Sequence, residues 1–268
     1  MLKLLKYEWK ACARTCLPLY GAMLLMSVVS AVMTTESAQD FMNGIPTAIL
    51  GMLYFAMLVA VFVVTAVILI QRFYKNLLGD EGYLMFTLPV TVAQHIWSKV
   101  IVAVGICFLS GIVALLSIAV LGSGTGLFTD IAMVLEQLGY VIATEPNAIG
   151  YMLEGILLLV LSTASTVLYI YLCMALGHLA KKHRVLMSVV WYFVLSTVAQ
   201  FLLSFVLIGV GNGPMQTLVE AIANVVKGMP QQAMLHGALL FFCVVTAIPG
   251  AICYGGTYYV LKKRLNLE

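Results

Sequence analysis

Six long stretches without a charged side chain limit what this chain of 268 residues can fold into. They extend over residues 15–35, 41–71, 100–129, 155–180, 185–219 and 228–261. A helix needs about 20 apolar residues to cross the hydrocarbon layer of a bilayer, and each stretch reaches that length. Only 9% of all residues are charged, against about 25% in a soluble domain. The sequence therefore predicts an all-α, polytopic membrane protein.

Trimming these stretches at Gly, Pro and polar residues predicts six transmembrane helices within a single membrane domain, residues 1–268. Their expected limits are 15–33, 48–70, 99–121, 153–179, 185–210 and 236–260. All of the 14 Lys and Arg residues except Lys227 are expected on one side of the membrane. They lie before span one, between spans two and three, between spans four and five, and after span six. Because Lys and Arg concentrate on the cytoplasmic side of membrane proteins, we expect a multi-pass cell-membrane protein with both termini in the cytoplasm.

The first 14 residues predict an amphipathic helix in the membrane interface. Apolar side chains recur on one face and cations on another: Leu2, Leu5, Trp9 and Cys12 against Lys3, Lys6, Lys10 and Arg14. A basic helix that carries a Trp binds at the level of anionic lipid head groups. Two interpretations remain open, a simple topology anchor or a contact with a partner protein.

The connection between spans two and three, residues 71–99, contains its own helix start and helix stop. Asp80 is a good N-cap, Glu81 is favourable in a first turn, and Pro89 ends the short apolar helix that follows. Thr91 and Gln94 then form a capping box that begins span three. A compact loop with exposed aromatic side chains is typical of a site that binds another protein. The expected contact residues are Asp80, Glu81, Tyr83, Leu84, Phe86 and Leu88.

Sequence motifs for enzymatic chemistry are missing. The chain has no HExxH, no GxSxG and no GxxxxGK[ST] motif, so we predict no catalytic residue, no metal site and no cofactor. The spans contain almost no ionisable residue, which argues against an ion-coupled carrier, because such carriers place charges at mid-membrane depth. If ATP powers transport, a separate polypeptide must hydrolyse it.

Neutral polar residues mark spans four and five, and two interpretations of them remain open. The residues are Ser162, Ser165, Tyr169, Tyr192, Ser196 and Gln200. They either form interhelical hydrogen bonds, about 0.6 kcal/mol each, or line the pathway of an amphiphilic substrate, with Gln200 as the best single candidate. In span six, Ala247, Ala251 and Gly255 are spaced four apart, which predicts close helix packing.

Two segments, KLLKYEWKACARTCLPLY and FYKNLLGDEGYLMFTLPVTVAQHIWSK, resemble the N-terminal segment and first cytoplasmic loop of a known family. That family comprises the permease subunits of bacterial ATP-binding-cassette exporters of the type-2 class. The resemblance implies an interface helix over residues 1–14, a coupling helix over residues 80–88 that docks on the ATPase, and outer re-entrant helices near residues 214–227. It also implies a complex of two permease chains, identical or different, with two ATPase subunits. The long outer segment 122–151 departs from the family pattern.

The resulting hypothesis is a permease subunit of an ATP-driven exporter, not itself an enzyme. The substrate would be an amphiphile such as a peptide, a drug or a lipid-linked molecule. The expected partners are a cytoplasmic ATPase, a second permease chain and the lipid bilayer, without nucleic acid. The alternative is a membrane scaffold or sensor subunit that signals through residues 71–99 without transport.

Overall fold

The computed structural model describes residues 2–33, 45–78, 90–123, 127–144, 147–180, 183–212 and 228–263. The regular structure in these ranges is helical: α1 (Leu2–Met33), α2 (Ile45–Phe73), α3 (Val92–Gly122), α4 (Leu127–Thr144), α5 (Ala148–His178), α6 (Arg184–Asn212) and α7 (Gln231–Lys263). Within the described part of the chain, six of these helices, all except α4, are long and apolar enough to cross a membrane. The prediction of an all-α polytopic protein is confirmed.

Helix α3 begins where the capping box was predicted, seven residues ahead of the predicted span. The amide of Gln94 donates to Thr91 Oγ1 at 3.3 Å, and the amide of Thr91 donates to Gln94 Oε1 at 3.1 Å. These two bonds satisfy amide groups that a helix start otherwise leaves unpaired. At its C-terminal end, just before residues 79–89, α2 continues into a π-helical turn, Tyr74–Leu78. Leu77 and Leu78 of this turn are buried.

The predicted interface helix and the predicted span one form a single continuous helix, whereas the sequence predicted two separate elements. Helix α1 continues through Arg14 and through Pro18, which costs one backbone hydrogen bond without ending the helix. Its apolar span, Leu4–Met33, has 30 residues and is therefore about 45 Å long. That length exceeds the ~30 Å hydrocarbon layer, so a continuous helix still has room for its first turns outside the hydrocarbon.

The chain divides into two compact units, Met1–Pro146 and Asn147–Glu268. In unit 1, α1 packs against α2 and α3, α2 packs against α3, and α4 contacts α3. Six of the buried residues of α3 follow each other in alternating steps of four and three, which places them on one face. They are Lys99, Ala103, Ile106, Ser110, Val113 and Ser117.

In unit 2, α5 is the central helix and contacts both α6 and α7. Two glycines of α7 allow the close approach to α5. A Cβ atom at Gly250 would overlap Ser165, and one at Gly256 would come within 2.8 Å of Leu172 Cδ1. The predicted packing stripe was placed on another face, since Gly255 has open space around its Cα and is exposed. Gly250 and Gly256, rather than Gly255, meet α5, because small residues occur on more than one face of α7.

Candidate functional site

A buried ion pair joins the N-terminal helix to the start of α3. The Nζ of Lys99 donates to Glu8 Oε1 at 2.8 Å, and the two residues are only 5% and 7% exposed. Charge-assisted hydrogen bonds of this length are among the stronger polar contacts in proteins. Two buried charges keep their ionised forms only when they are paired, so each of these side chains depends on the other.

Arg72, near the end of α2, adds a second cation to this pair. Its Nη1 donates to the backbone oxygen of Glu8 at 3.1 Å and lies 3.1 Å from Cys12 Sγ. Its Nη2 lies 3.9 Å from the Glu8 carboxylate, at the outer limit of an ion pair. The Glu8 cluster, which we define as Glu8, Arg72, Lys99 and Cys12, therefore connects three different helices.

The Glu8 cluster joins the two parts of the chain that flank residues 79–89. Arg72 precedes residues 79–89 and Lys99 follows them, and both are bonded to the same residue of α1. The buried Leu78 and the Thr91 capping box lie still closer to the two ends of that segment. Both flanks of residues 79–89 are thus bonded to α1.

Further polar contacts tie the same three helices together along their length. The Tyr20 hydroxyl and Ser110 Oγ are 2.7 Å apart, and Ser110 Oγ lies 3.5 Å from Thr65 Oγ1. Farther along α3, the Tyr54 hydroxyl is 2.8 Å from Ser117 Oγ. Because buried hydroxyls need partners, these contacts restrict the register in which α1, α2 and α3 can pack.

Unit 2 contains a separate ionisable pair near the beginning of α5 and of α7. Nδ1 of His236 lies 2.8 Å from Glu154 Oε1, and its ring lies 4.3 Å from that of Tyr151. The Tyr151 hydroxyl donates to the backbone oxygen of Gln232 at 3.3 Å. Among the described residues, the second carboxylate oxygen of Glu154 is buried without a hydrogen-bond partner. This arrangement fastens α5 to α7 at one end.

The residues predicted to contact an ATPase lie outside the described residues. This applies to the whole set Asp80, Glu81, Tyr83, Leu84, Phe86 and Leu88, and also to the predicted re-entrant segment 214–227. The predicted interface residues are all in α1, where the side chains of Lys6, Trp9, Lys10 and Arg14 are exposed. Lys3 lies in the first turn of the same helix. The segment 122–151 contains α4.

The predicted pathway residues separate into two groups. Ser165 Oγ donates to the Thr246 oxygen of α7 at 2.7 Å, and the Tyr169 hydroxyl donates to the Tyr192 oxygen of α6 at 2.9 Å. These bonds cross between helices, as the first of the two interpretations describes.

The second group bonds mainly within its own helices, although Ser196 also interacts with Tyr169 of α5. Ser162 and Ser196 donate to carbonyls of their own helices, at 3.0 and 2.9 Å. Gln200 is exposed on α6. Helices α6 and α7 each contact α5, so the two groups lie on elements that share one neighbour.

Sequence reasoning missed the Glu8 cluster, although a signal was present. The charge pattern assigns Arg72 and Lys99 to the connection between spans two and three, whereas they lie in α2 and α3. Lys99 belongs to the series of buried α3 residues spaced by four and three, and Glu8 is the only acidic residue before residue 36. A lone acid among many cations and a Lys in phase with a buried face would together have indicated the pair.

In the ranges that the structure describes, no three His, Cys, Asp or Glu residues are grouped closely enough to hold a metal ion. No protein-family model, no curated protein and no solved structure matches this chain. The candidate site therefore rests on the geometry of its own residues, with the Glu8 cluster as its best-defined part.

Proposed function

We propose that this chain is the permease subunit of an ATP-driven exporter in the cell membrane, with both termini in the cytoplasm. The observation that carries the proposal is the attachment of both flanks of residues 79–89 to α1 through Glu8. A segment that must receive force from a partner needs such an attachment, because a loosely tethered loop would absorb the movement locally.

In this proposal, a separate ATPase docks on residues 80–88 and moves them when it closes on ATP. The Glu8 cluster transmits the movement to α1, α2 and α3 together, while Tyr20, Ser110 and Thr65 hold the same helices farther along. Two permease chains with two ATPase subunits form the working complex. The transported molecule is an amphiphile, which suits a pathway bordered by apolar helices with few polar groups.

The partner can be identified by photocrosslinking from position 86. A photoreactive phenylalanine analogue replaces Phe86 in cells, and the expected crosslinked product is a polypeptide with a GxxxxGK[ST] loop. The matched control places the same analogue at Phe55, a 67% exposed side chain in the middle of α2. An identical product from both positions, or no ATPase from position 86, contradicts the proposal.

Coupling is tested with the identified ATPase and this chain in liposomes. Leu84→Asp with Phe86→Asp should abolish co-purification of the ATPase while membrane insertion is retained, because two buried carboxylates would replace apolar contacts. Complex formation that survives both changes shows that docking occurs elsewhere. A stable complex whose ATP hydrolysis never responds to amphiphiles supports the scaffold or sensor alternative instead.

A further inference from the structure

A groove of about 670 Å³ runs along the N-terminal part of α1, outside the Glu8 cluster. Two parallel rows of side chains border it, each with a spacing of four residues. One row is apolar and the other is basic: Leu5, Trp9, Ala13 and Leu17 beside Lys6, Lys10 and Arg14. All seven lining residues belong to α1, so the groove is a shallow surface site that is open to its surroundings.

Trp9 forms a rigid wall of this groove. The ring contacts the backbone of α3 at Gly105, where a Cβ atom would overlap ring atom Cζ3. The ring is nevertheless 41% exposed, so one part packs on α3 while another borders the groove. A wall that is already ordered before a ligand arrives lowers the entropy cost of binding.

The lining of the groove is almost entirely apolar, and the charge balance of α1 leaves its basic edge positive. Glu8 points to the other side of the helix and is buried against Lys99 and Arg72. In the described ranges, no carboxylate forms an ion pair with Lys6, Lys10 or Arg14. The basic row therefore attracts an anion, and the adjacent apolar row suits a hydrocarbon chain attached to that anion.

The length of α1 places this groove at the membrane surface. If residues 15–33 cross the hydrocarbon, these 19 residues span about 28 Å, close to the thickness of the layer. Arg14 and Lys10 then lie at the level of lipid phosphates, and Leu17 lies among the upper acyl carbons. The two rows thus match the two parts of a lipid at the depths where each part occurs.

We propose that this groove binds an anionic glycerophospholipid of the surrounding bilayer. The phosphate lies between Lys10 and Arg14, with Lys6 nearby, and one acyl chain lies along Ala13 and Leu17 beside the Trp9 ring. The proposal concerns the lipid alone and does not depend on the exporter function.

The test uses the full-length chain in phosphatidylcholine vesicles that contain increasing amounts of brominated phosphatidylglycerol. Bromine quenches tryptophan fluorescence at short range, and the Trp9 signal is the difference between the wild-type chain and Trp9→Phe. The same subtraction with Trp191→Phe reports a tryptophan of α6 for comparison. We expect Trp9 quenching to saturate at a low fraction of phosphatidylglycerol, and brominated phosphatidylcholine not to reproduce this saturation.

Two variants distinguish lipid binding in the groove from general electrostatic attraction to a charged membrane. Lys6→Gln with Lys10→Gln and Arg14→Gln should weaken binding about 100-fold, since three cations near the surface are lost. The matched control removes three exposed cations elsewhere, Lys75, Lys262 and Lys263, and should retain the affinity. Ala13→Phe keeps every charge but fills the groove, and it should also abolish saturation.

Several results would overturn the proposal. They are equal quenching by the two lipids, unchanged binding in the triple Gln variant, and unchanged binding in Ala13→Phe. The last result would indicate diffuse electrostatic attraction only. Competition by soluble glycerol phosphate at the same concentration as the lipid would show that the site recognises a free phosphate rather than a lipid.

Discussion

At the scale of single residues, Glu8 is the residue of α1 that binds both α2 and α3. Its carboxylate accepts from Lys99, and its backbone oxygen accepts from Arg72. A buried ion pair adds little net stability compared with an apolar pair of the same shape, because both charges must leave water. Loss of one partner is much more costly, because the remaining charge stays buried without compensation.

Glu8→Gln should therefore lower the free energy of unfolding by about 3–5 kcal/mol, since Lys99 and Arg72 lose their counter-charge while the side-chain shape is kept. The measurement is reversible unfolding of the purified chain in detergent or bicelles. Glu136→Gln is the matched control, because Glu136 is exposed on α4 in the same unit. Equal stability of the two variants would show that the Glu8 cluster is not held in its ionised form.

Gly105 and Gly111 lie on the same helix and should respond in opposite ways to one added methyl group. Gly105→Ala forces the Trp9 ring away from α3 and should destabilise unit 1 by about 1–3 kcal/mol. Gly111 has nothing near its missing Cβ, so Gly111→Ala should be neutral or stabilising, by up to about 1 kcal/mol. Unfolding in detergent measures both changes. A tolerated Gly105→Ala would mean that Trp9 is not packed against α3.

At the scale of helices, capping and pairing decide where elements end and which faces meet. The Thr91–Gln94 box was predictable because both partners are three residues apart. The pairing of Glu154 with His236 was not, because 82 residues separate them. Local hydrogen bonds can be inferred from spacing, whereas contacts between helices depend on how each helix is rotated about its axis.

The Glu154–His236 pair provides a test of how α5 and α7 are fastened. His236→Ala should lower the free energy of unfolding by about 1–3 kcal/mol, because Glu154 already has one unpaired oxygen and would lose its other partner. Adding Glu154→Gln to this variant removes the charge and should recover a large part of the loss. Protease resistance or unfolding of the purified chain reports both steps. If the second change gives no recovery, Glu154 does not depend on His236 as its partner.

At the scale of the whole molecule, charge distribution predicts how the chain crosses the membrane. Single cysteines at Lys75 and Lys262 should react with a membrane-impermeant maleimide only after the cells are broken. A cysteine at Glu136 should react in intact cells, because α4 follows the third span on the opposite side. All three positions are exposed, so accessibility in the fold is not limiting. Labelling of position 75 in intact cells would reverse the orientation and exclude an ATPase at residues 80–88.

Features that depend on neighbouring residues were predicted from the sequence, whereas features that depend on contacts between helices were not. Helix number and type were predicted because hydrophobic length is a property of consecutive residues. Helix limits were off by several residues wherever a cap or a polar end turn extended the helix, as at Thr91 for α3. The choice of Gly255 as a packing residue was wrong because every face of a membrane helix is apolar, so periodicity does not single out the one that meets a neighbour.

The sequence alone determined that this protein has apolar helices suited to a membrane, because a helix needs about 20 consecutive apolar residues to cross the bilayer. It also determined the capping box at Thr91, which depends on neighbours in the chain. Only the tertiary structure decided that Glu8 and Lys99, 91 residues apart, share one buried hydrogen bond. The reason is physical: burial of a charge depends on which helices pack around it, and that packing is set by contacts between distant parts of the chain.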